Sequence, residues 1–195
     1  MANPSKTKGD RAELDAVRMF QEQCPELCLP KAQRLLGAGR AEDVGDLHVF
    51  GDVAIQVRNY AMSQIGTAIR SSAKDACIQA SNGDRPLALG LVPYPRARNG
   101  SVKWVACVKE WPVPLLVDPV PFAMVSRALT WLRDDDGPHG FMAYPRELRI
   151  AILTGGNTEP VLLAPVEAWV AAYRDTRQHQ HTGVVPFDQE RVAVP

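Results

Sequence analysis

Asp46, Gln56 and Arg58 set a carboxylate, an amide and a guanidinium at even intervals along one short stretch. Asp46 and Gln56 are ten positions apart, an even number, and Arg58 follows two residues later. Over Val44–Asn59 this spacing predicts a tight antiparallel hairpin. Even spacing centres the turn on one residue, Gly51, and so requires an odd loop such as Phe50-Gly51-Asp52. Directly opposed residues of an antiparallel pair share a face. Asp46 then faces Gln56, Leu47 faces Ile55 and Val49 faces Val53. One face is apolar and core-directed. The other holds Asp46, His48, Gln56 and Arg58. A slip of one residue would carry Asp46 to the apolar face, so the pattern selects this register. Such a face can be a reactive surface or the polar outside of a β-ribbon. His48 could touch a phosphate or fill the cross-strand position opposite Ala54.

A second acid belongs to the first predicted helix, about Gly9 to Gln23. Its apolar stripe includes Ala12, Ala16, Val17 and Phe20. Glu13 lies three, four and seven residues before the last three of these, on or beside the stripe. An acid in that place is costly unless it is paired, bound to a metal or at the stripe's margin.

The rest of the chain supplies the scaffold for these side chains. The full 195 residues suffice for one core with an elaboration. Hydrophobic content of 46% and charged content of 23% are those of a globular protein. A formal net charge of zero argues against coating nucleic acid by bulk charge and leaves room for a local basic patch. No apolar run approaches a membrane span, and Met-Ala-Asn-Pro-Ser-Lys lacks the apolar core of a signal peptide, so a cytoplasmic location is expected. Cys24, Cys28, Cys77 and Cys107 are expected as reduced thiols.

Residues 1–7 read as a disordered arm. Pro25 and Pro30 end the first helix, and 31–45 reads as a loop or irregular edge strand. A second helix is predicted from about Met62 to Ala80, then strands at Pro86–Val92 and Ser101–Val108 around an Asn99-Gly100 turn. Helix, hairpin with adjoining edge, helix and hairpin make an α/β layer arrangement, one mixed sheet with helices packed on it. Four prolines mark 111–121 as a connector. A helix at about Phe122–Arg133, strands at Leu148–Leu153 and Val161–Leu163, and a helix starting at Pro165 complete the order. Residues from 178 to 195 read as a flexible tail. His179 and His181 fall there, with no third ligand in view.

An acid on the first helix, an acid opening a hairpin, and a polar and a basic residue two apart on its second strand: this order resembles the PD-(D/E)XK nuclease superfamily. It is most similar to the Holliday junction resolvase-like members of phages and archaea. The matching text is Lys8-Gly-Asp-Arg-Ala-Glu13, Gly45-Asp46-Leu47 and Val53-Ala-Ile-Gln-Val-Arg58. The helix near Ser63 and the basic hairpin ending in Lys103-Trp104 follow the family's order as well. The resemblance implies a single restriction-endonuclease-like core over residues 8–108 and a C-terminal α/β extension, 109–177, packed on it. Within the extension, 111–159 would be an insertion and 160–177 a closing element.

The resemblance also implies chemistry. Glu13 and Asp46 would be carboxylate ligands of Mg²⁺ or Mn²⁺. Gln56 stands in the place of the motif's second acid and could ligate through its side-chain carbonyl, and Val57 through its backbone carbonyl. Arg58 stands in the place of the motif's Lys. Gln for an acid removes one negative charge from a site where carboxylates dominate Mg²⁺ affinity. Arg for Lys keeps a cation that could clamp a phosphate but cannot give up its proton. The expected activity is phosphodiester hydrolysis in branched or structured DNA. The alternative is a catalytically impaired relative that binds DNA or a protein partner. Lys8, Arg11, Arg96, Arg98 and Lys103 are candidate phosphate contacts. The relatives' two-fold dimers imply a homodimer.

Overall fold

The computed structural model describes residues 4–35, 44–95, 102–133, 148–155 and 158–182. Helix α1 spans Pro4–Gln23, followed by a 3-10 turn at Pro25–Leu27. Strands β1 (Gln33–Arg34), β2 (Leu47–His48) and β3 (Val53–Val57) form an antiparallel meander. A 3-10 turn at Met62–Gln64 leads into α2 (Ile65–Asn82). Strand β4 (Leu87–Pro95) returns parallel to β3, and β5 (Val102–Val108) pairs antiparallel with it. Then come β6 (Val120–Phe122), α3 (Val125–Arg133), β7 (Ala151–Leu153), β8 (Val161–Pro165) and α4 (Val166–Thr182). The eight strands form one mixed sheet in the order β1-β2-β3-β4-β5-β8-β7-β6. The α/β class with helices flanking a mixed sheet is the class the element order predicts.

Strand alternation divides the core into two layers. Val53, Ile55, Val57, Leu89, Leu91, Trp104, Ala106 and Val108 turn to the side of α1 and α4. Val92, Val105 and Cys107 turn to α2 and α3. On the first side Phe20, Phe50, Trp169 and Tyr173 form an aromatic knot, with ring centroids 5.0 Å apart for Phe20–Phe50, 4.8 Å for Phe50–Tyr173 and 5.2 Å for Trp169–Tyr173. Burying each such ring contributes about 2–3 kcal/mol. The Tyr173 hydroxyl donates to Asp52 Oδ1 at 2.6 Å, and Arg177 Nη2 reaches the same oxygen at 3.0 Å. The β2–β3 loop is thereby fastened to α4, far along the chain.

Several local expectations are corrected. The first helix begins at Pro4, not Gly9, so residues 4–7 of the expected arm are helical. Proline is favoured in the first turn, where its missing N–H costs nothing. Residues 1–3 lie outside the described residues. The last helix runs to Thr182, past the start of the expected tail at 178, and 183–195 lie outside the described residues. The proline connector ends in β6, which pairs parallel with β7 through Val120–Phe122, and the helix expected from Phe122 starts at Val125. Prolines deny a strand its ladder donors and are tolerated at a sheet edge, which β6 forms. Strand β8 lies between β5 and β7, so the sheet is continuous across the 108/109 boundary. Among the described residues, no helix is long and apolar enough to cross a membrane.

Candidate carboxyl–guanidinium site at the end of β3

The hairpin register is the one that the spacing selects. Leu47 pairs with Ile55, which sets Asp46 opposite Gln56. Gly45 makes the approach to β3 with φ +116°, and a Cβ there would stand 3.1 Å from the Ile55 carbonyl oxygen. Only glycine takes this backbone without strain. The next residue then places its amide on that carbonyl, Asp46 N to Ile55 O at 2.8 Å.

Asp46 is the hub. Its Oδ2 accepts a hydrogen bond from Gln56 Nε2 and another from the Val57 amide at 2.8 Å, and it lies 3.7 Å from Arg58 Nη1. The Val57 carbonyl accepts from Arg58 Nη1 at 3.3 Å. Gln56 is 1% exposed, and its Oε1 has no hydrogen-bond partner among the described residues.

The polar face of the hairpin is therefore not the outside of a surface ribbon. Every residue of β3 is buried, Ala54 and Gln56 included. The cause lies outside the hairpin: β4 pairs in parallel on its far side and α2 crosses over that face. Gly90, opposite Gln56 on β4, makes this approach close. A Cβ on it would come within 2.6 Å of the Ser72 carbonyl carbon. Helix α2 also brings a residue that sequence reasoning missed, Asp75, whose Oδ2 lies 2.8 Å from Arg58 Nη2.

A second group of ion pairs adjoins the first. Arg34 on β1 reaches Asp10 Oδ1 through Nη2 at 2.7 Å, and its Nε stands 3.2 Å from Glu13 Oε2. Asp10 and Arg34 were also missed. Asp10 falls within the Lys8–Glu13 text, one helical turn before Glu13, a spacing that puts both acids on one flank. Nothing local marks Arg34, because its partners are set by β1 pairing with β2. Burial pushes the Glu13 carboxyl up to about 7. The negative charge of Asp46 adds to the rise, and Arg34 and Arg58 oppose it. Glu13 thus feels both Asp46 and Arg58, and the two groups act as one electrostatic site.

Four carboxyls (Asp10, Glu13, Asp46 and Asp75) meet two guanidiniums (Arg34 and Arg58). With all groups ionised, two negative charges are left over. Among the described residues, no three His, Cys, Asp or Glu side chains converge as a metal-holding group. The side-chain oxygens gathered around the two guanidiniums are those of the four carboxyls, with the buried Gln56 carbonyl beside Asp46. Hard oxygens of this kind are the ligands that Mg²⁺ or Mn²⁺ would take. Arg58 stands close to Asp46 and supplies part of the positive charge.

The basic residues divide. Lys8 Nζ donates to the Tyr60 carbonyl at 3.1 Å, beside the site. Arg11 is exposed and faces Asp15 at 3.9 Å on its own helix. Lys103 is half-buried and lines a small hollow with Leu129 and Arg133. It pairs with Tyr94, on the stretch of the β4–β5 hairpin that runs on beyond the end of β3. Arg96 and Arg98 lie outside the described residues. His48 pairs across β1 with Gln33. All four cysteines are free thiols. Comparison with protein-family models, with curated proteins and with solved structures returns no match.

Proposed function

We propose that this protein is a metal-dependent endonuclease of the PD-(D/E)XK kind, hydrolysing phosphodiesters in branched or structured DNA. The observation that carries the reading is the half-buried site at the end of β3. It holds an excess of carboxyl over guanidinium, with Glu13, Asp46 and a buried, unpartnered Gln56 carbonyl as oxygen donors. The helix, hairpin, helix, hairpin order of the first 108 residues supports it. Glu13, Asp46, Gln56 and the Val57 carbonyl would hold Mg²⁺ or Mn²⁺, which supplies an acidified water and offsets charge on the phosphate. Arg58 clamps the scissile phosphate, held in direction by Asp75. Lys8 and the β4–β5 hairpin contact the flanking backbone. A homodimer would match the two-fold symmetry of a four-way junction. The working location is the cytoplasm, that of the host cell if a phage encodes the chain.

With Mg²⁺ or Mn²⁺ the purified protein is expected to nick a synthetic four-way junction. Asp46→Ala should lower the rate by at least about a hundredfold, the scale of losing a transition-state electrostatic contact. Intact DNA across a range of metals and substrates would overturn the reading.

A second reading rests on Arg58. Its guanidinium is tied to Asp75 and Asp46 and cannot shuttle a proton. This favours a catalytically impaired nuclease-like protein that binds DNA or a protein partner. In that case junction binding persists under chelation and weakens with salt. Cleavage gained by Gln56→Glu with Arg58→Lys would then identify the two substitutions as the cause.

A further inference from the structure

Beside the carboxyl–guanidinium site is a cavity of about 250 Å³, lined in part by Lys8, Asn59, Tyr60, Met62, Ile65 and Val92. Its place in the fold follows from β3. Asn59 and Tyr60 come directly after Arg58, where the chain leaves the sheet for α2. Two hydrogen bonds pin that exit to α1: Lys8 Nζ to the Tyr60 carbonyl at 3.1 Å, and Asn59 Nδ2 to the Lys8 carbonyl at 3.4 Å. The cavity wall is therefore built from two distant segments.

Its chemistry is mixed in a particular way. Tyr60 is 42% exposed and Met62 50%, an aromatic and a thioether left in water beside half-buried Ile65 and buried Val92. The rim carries the Lys8 ammonium. The first turn of α2 adds the positive end of a helix dipole, with no acid in that turn and no side-chain cap. An apolar slot with an aromatic wall and a cationic rim suits a flat heterocycle attached to a phosphate. Drug-sized ligands occupy roughly 300–1,000 Å³, and this smaller volume suits a single base.

We infer that this cavity receives the unstacked base of an unpaired nucleotide, whose phosphate meets the Lys8 ammonium at the rim. The inference rests on the nuclease reading for its strand context and deepens it. The preferred substrate would be branched DNA that carries an unpaired nucleotide at the branch. Tyr60 supplies stacking area, a contact tolerant of base identity because every base has a π-face. Asn59 can meet a base edge with its amide.

Two probes test this on the full chain. The first is 2-aminopurine nucleoside monophosphate, whose fluorescence falls on stacking. Saturable quenching is expected, kept by Tyr60→Phe and weakened about tenfold by Tyr60→Ala, the scale of one lost stacking contact. Circular dichroism and thermal melting establish that Tyr60→Ala remains folded. The second probe is a pair of labelled four-way junctions in EDTA, alike except for unpaired thymines at the exchange point. Wild type should prefer the unpaired junction about tenfold, and Tyr60→Ala should lose the preference. Absence of saturable quenching, quenching unchanged in folded Tyr60→Ala, or equal binding of the two junctions overturns the inference, whatever the cleavage result. Quenching and preference without metal-dependent nicking would leave the pocket standing and overturn the nuclease reading. Displacement of the nucleotide by an apolar peptide at lower concentration would reassign the cavity to a protein partner.

Discussion

Glu13 is the residue on which the site's electrostatics turn. Its carboxyl sits up at about 7, raised first by burial and then by Asp46. The ordinary value is 4.5, so between that pH and about 7 the folded protein holds a proton that the unfolded chain has released. Stability therefore falls as pH rises through this window and levels off above it. Glu13→Gln imitates the protonated form and removes the dependence. In urea titrations the variant should match wild type near pH 4.5 and exceed it at pH 8. The difference is expected on the order of 2 kcal/mol, given about 1.4 kcal/mol per pH unit and some solvent screening. A gap that stayed constant with pH would show that Glu13 does not titrate in this range. The same residue shows why Asp46 was easier to find than its surroundings. Parity along a hairpin is written locally, and so is the place of Glu13 beside an apolar stripe. The Arg34 pairs with Asp10 and Glu13, and the Asp75 pair with Arg58, join residues from separate elements.

At the scale of elements, α2 decides what the hairpin becomes. Its helical spacing is plain in Ile65, Ile69, Ala73, Ala76 and Ala80, and the last four are buried. The small residues let the helix come close to the sheet, and Gly90 completes the approach. Gly90→Ala would place a Cβ 2.6–2.7 Å from the α2 backbone at Ser72 and Ala73. Backbone cannot give way as a flexible side chain can, so the helix must move. A loss of about 1–3 kcal/mol is expected, read as a lower melting temperature, the usual scale of overpacking. The shift would also carry Asp75 away from Arg58. A Gly90→Ala protein with unchanged stability would mean that the α2–β4 contact is looser than the geometry shows.

At the scale of the molecule, the sheet ties the two halves of the chain together. Strand β8 pairs with β5 over Val105–Val108, and α4 covers the layer that α1 begins. The extension expected at 109–177 thus supplies a central strand and half of one core layer. A fragment ending at Val108 would bare the edge of β5 and lose Trp169 and Tyr173 from the aromatic knot. It should aggregate or lose its near-ultraviolet circular dichroism, because an unpaired edge and an uncovered apolar face are both association sites. A soluble, cooperatively melting 1–108 fragment would contradict this.

What repeats at short range is legible in the order of the amino acids. The α/β class, the even-parity register of Asp46 and Gln56, the stripe of α1 and the spacing of α2 are all periodicities within one element or one hairpin, set by backbone geometry. Which element covers which face was settled by long-range packing. It turned the expected outer face of β3 into an interior wall beneath α2. It set Asp75, Asp10 and Arg34 around the charged groups, and drew β8 in beside β5. The reason is physical: alternation says that a side chain has a polar face to itself, while its burial and its partners depend on contacts between segments far apart in the chain.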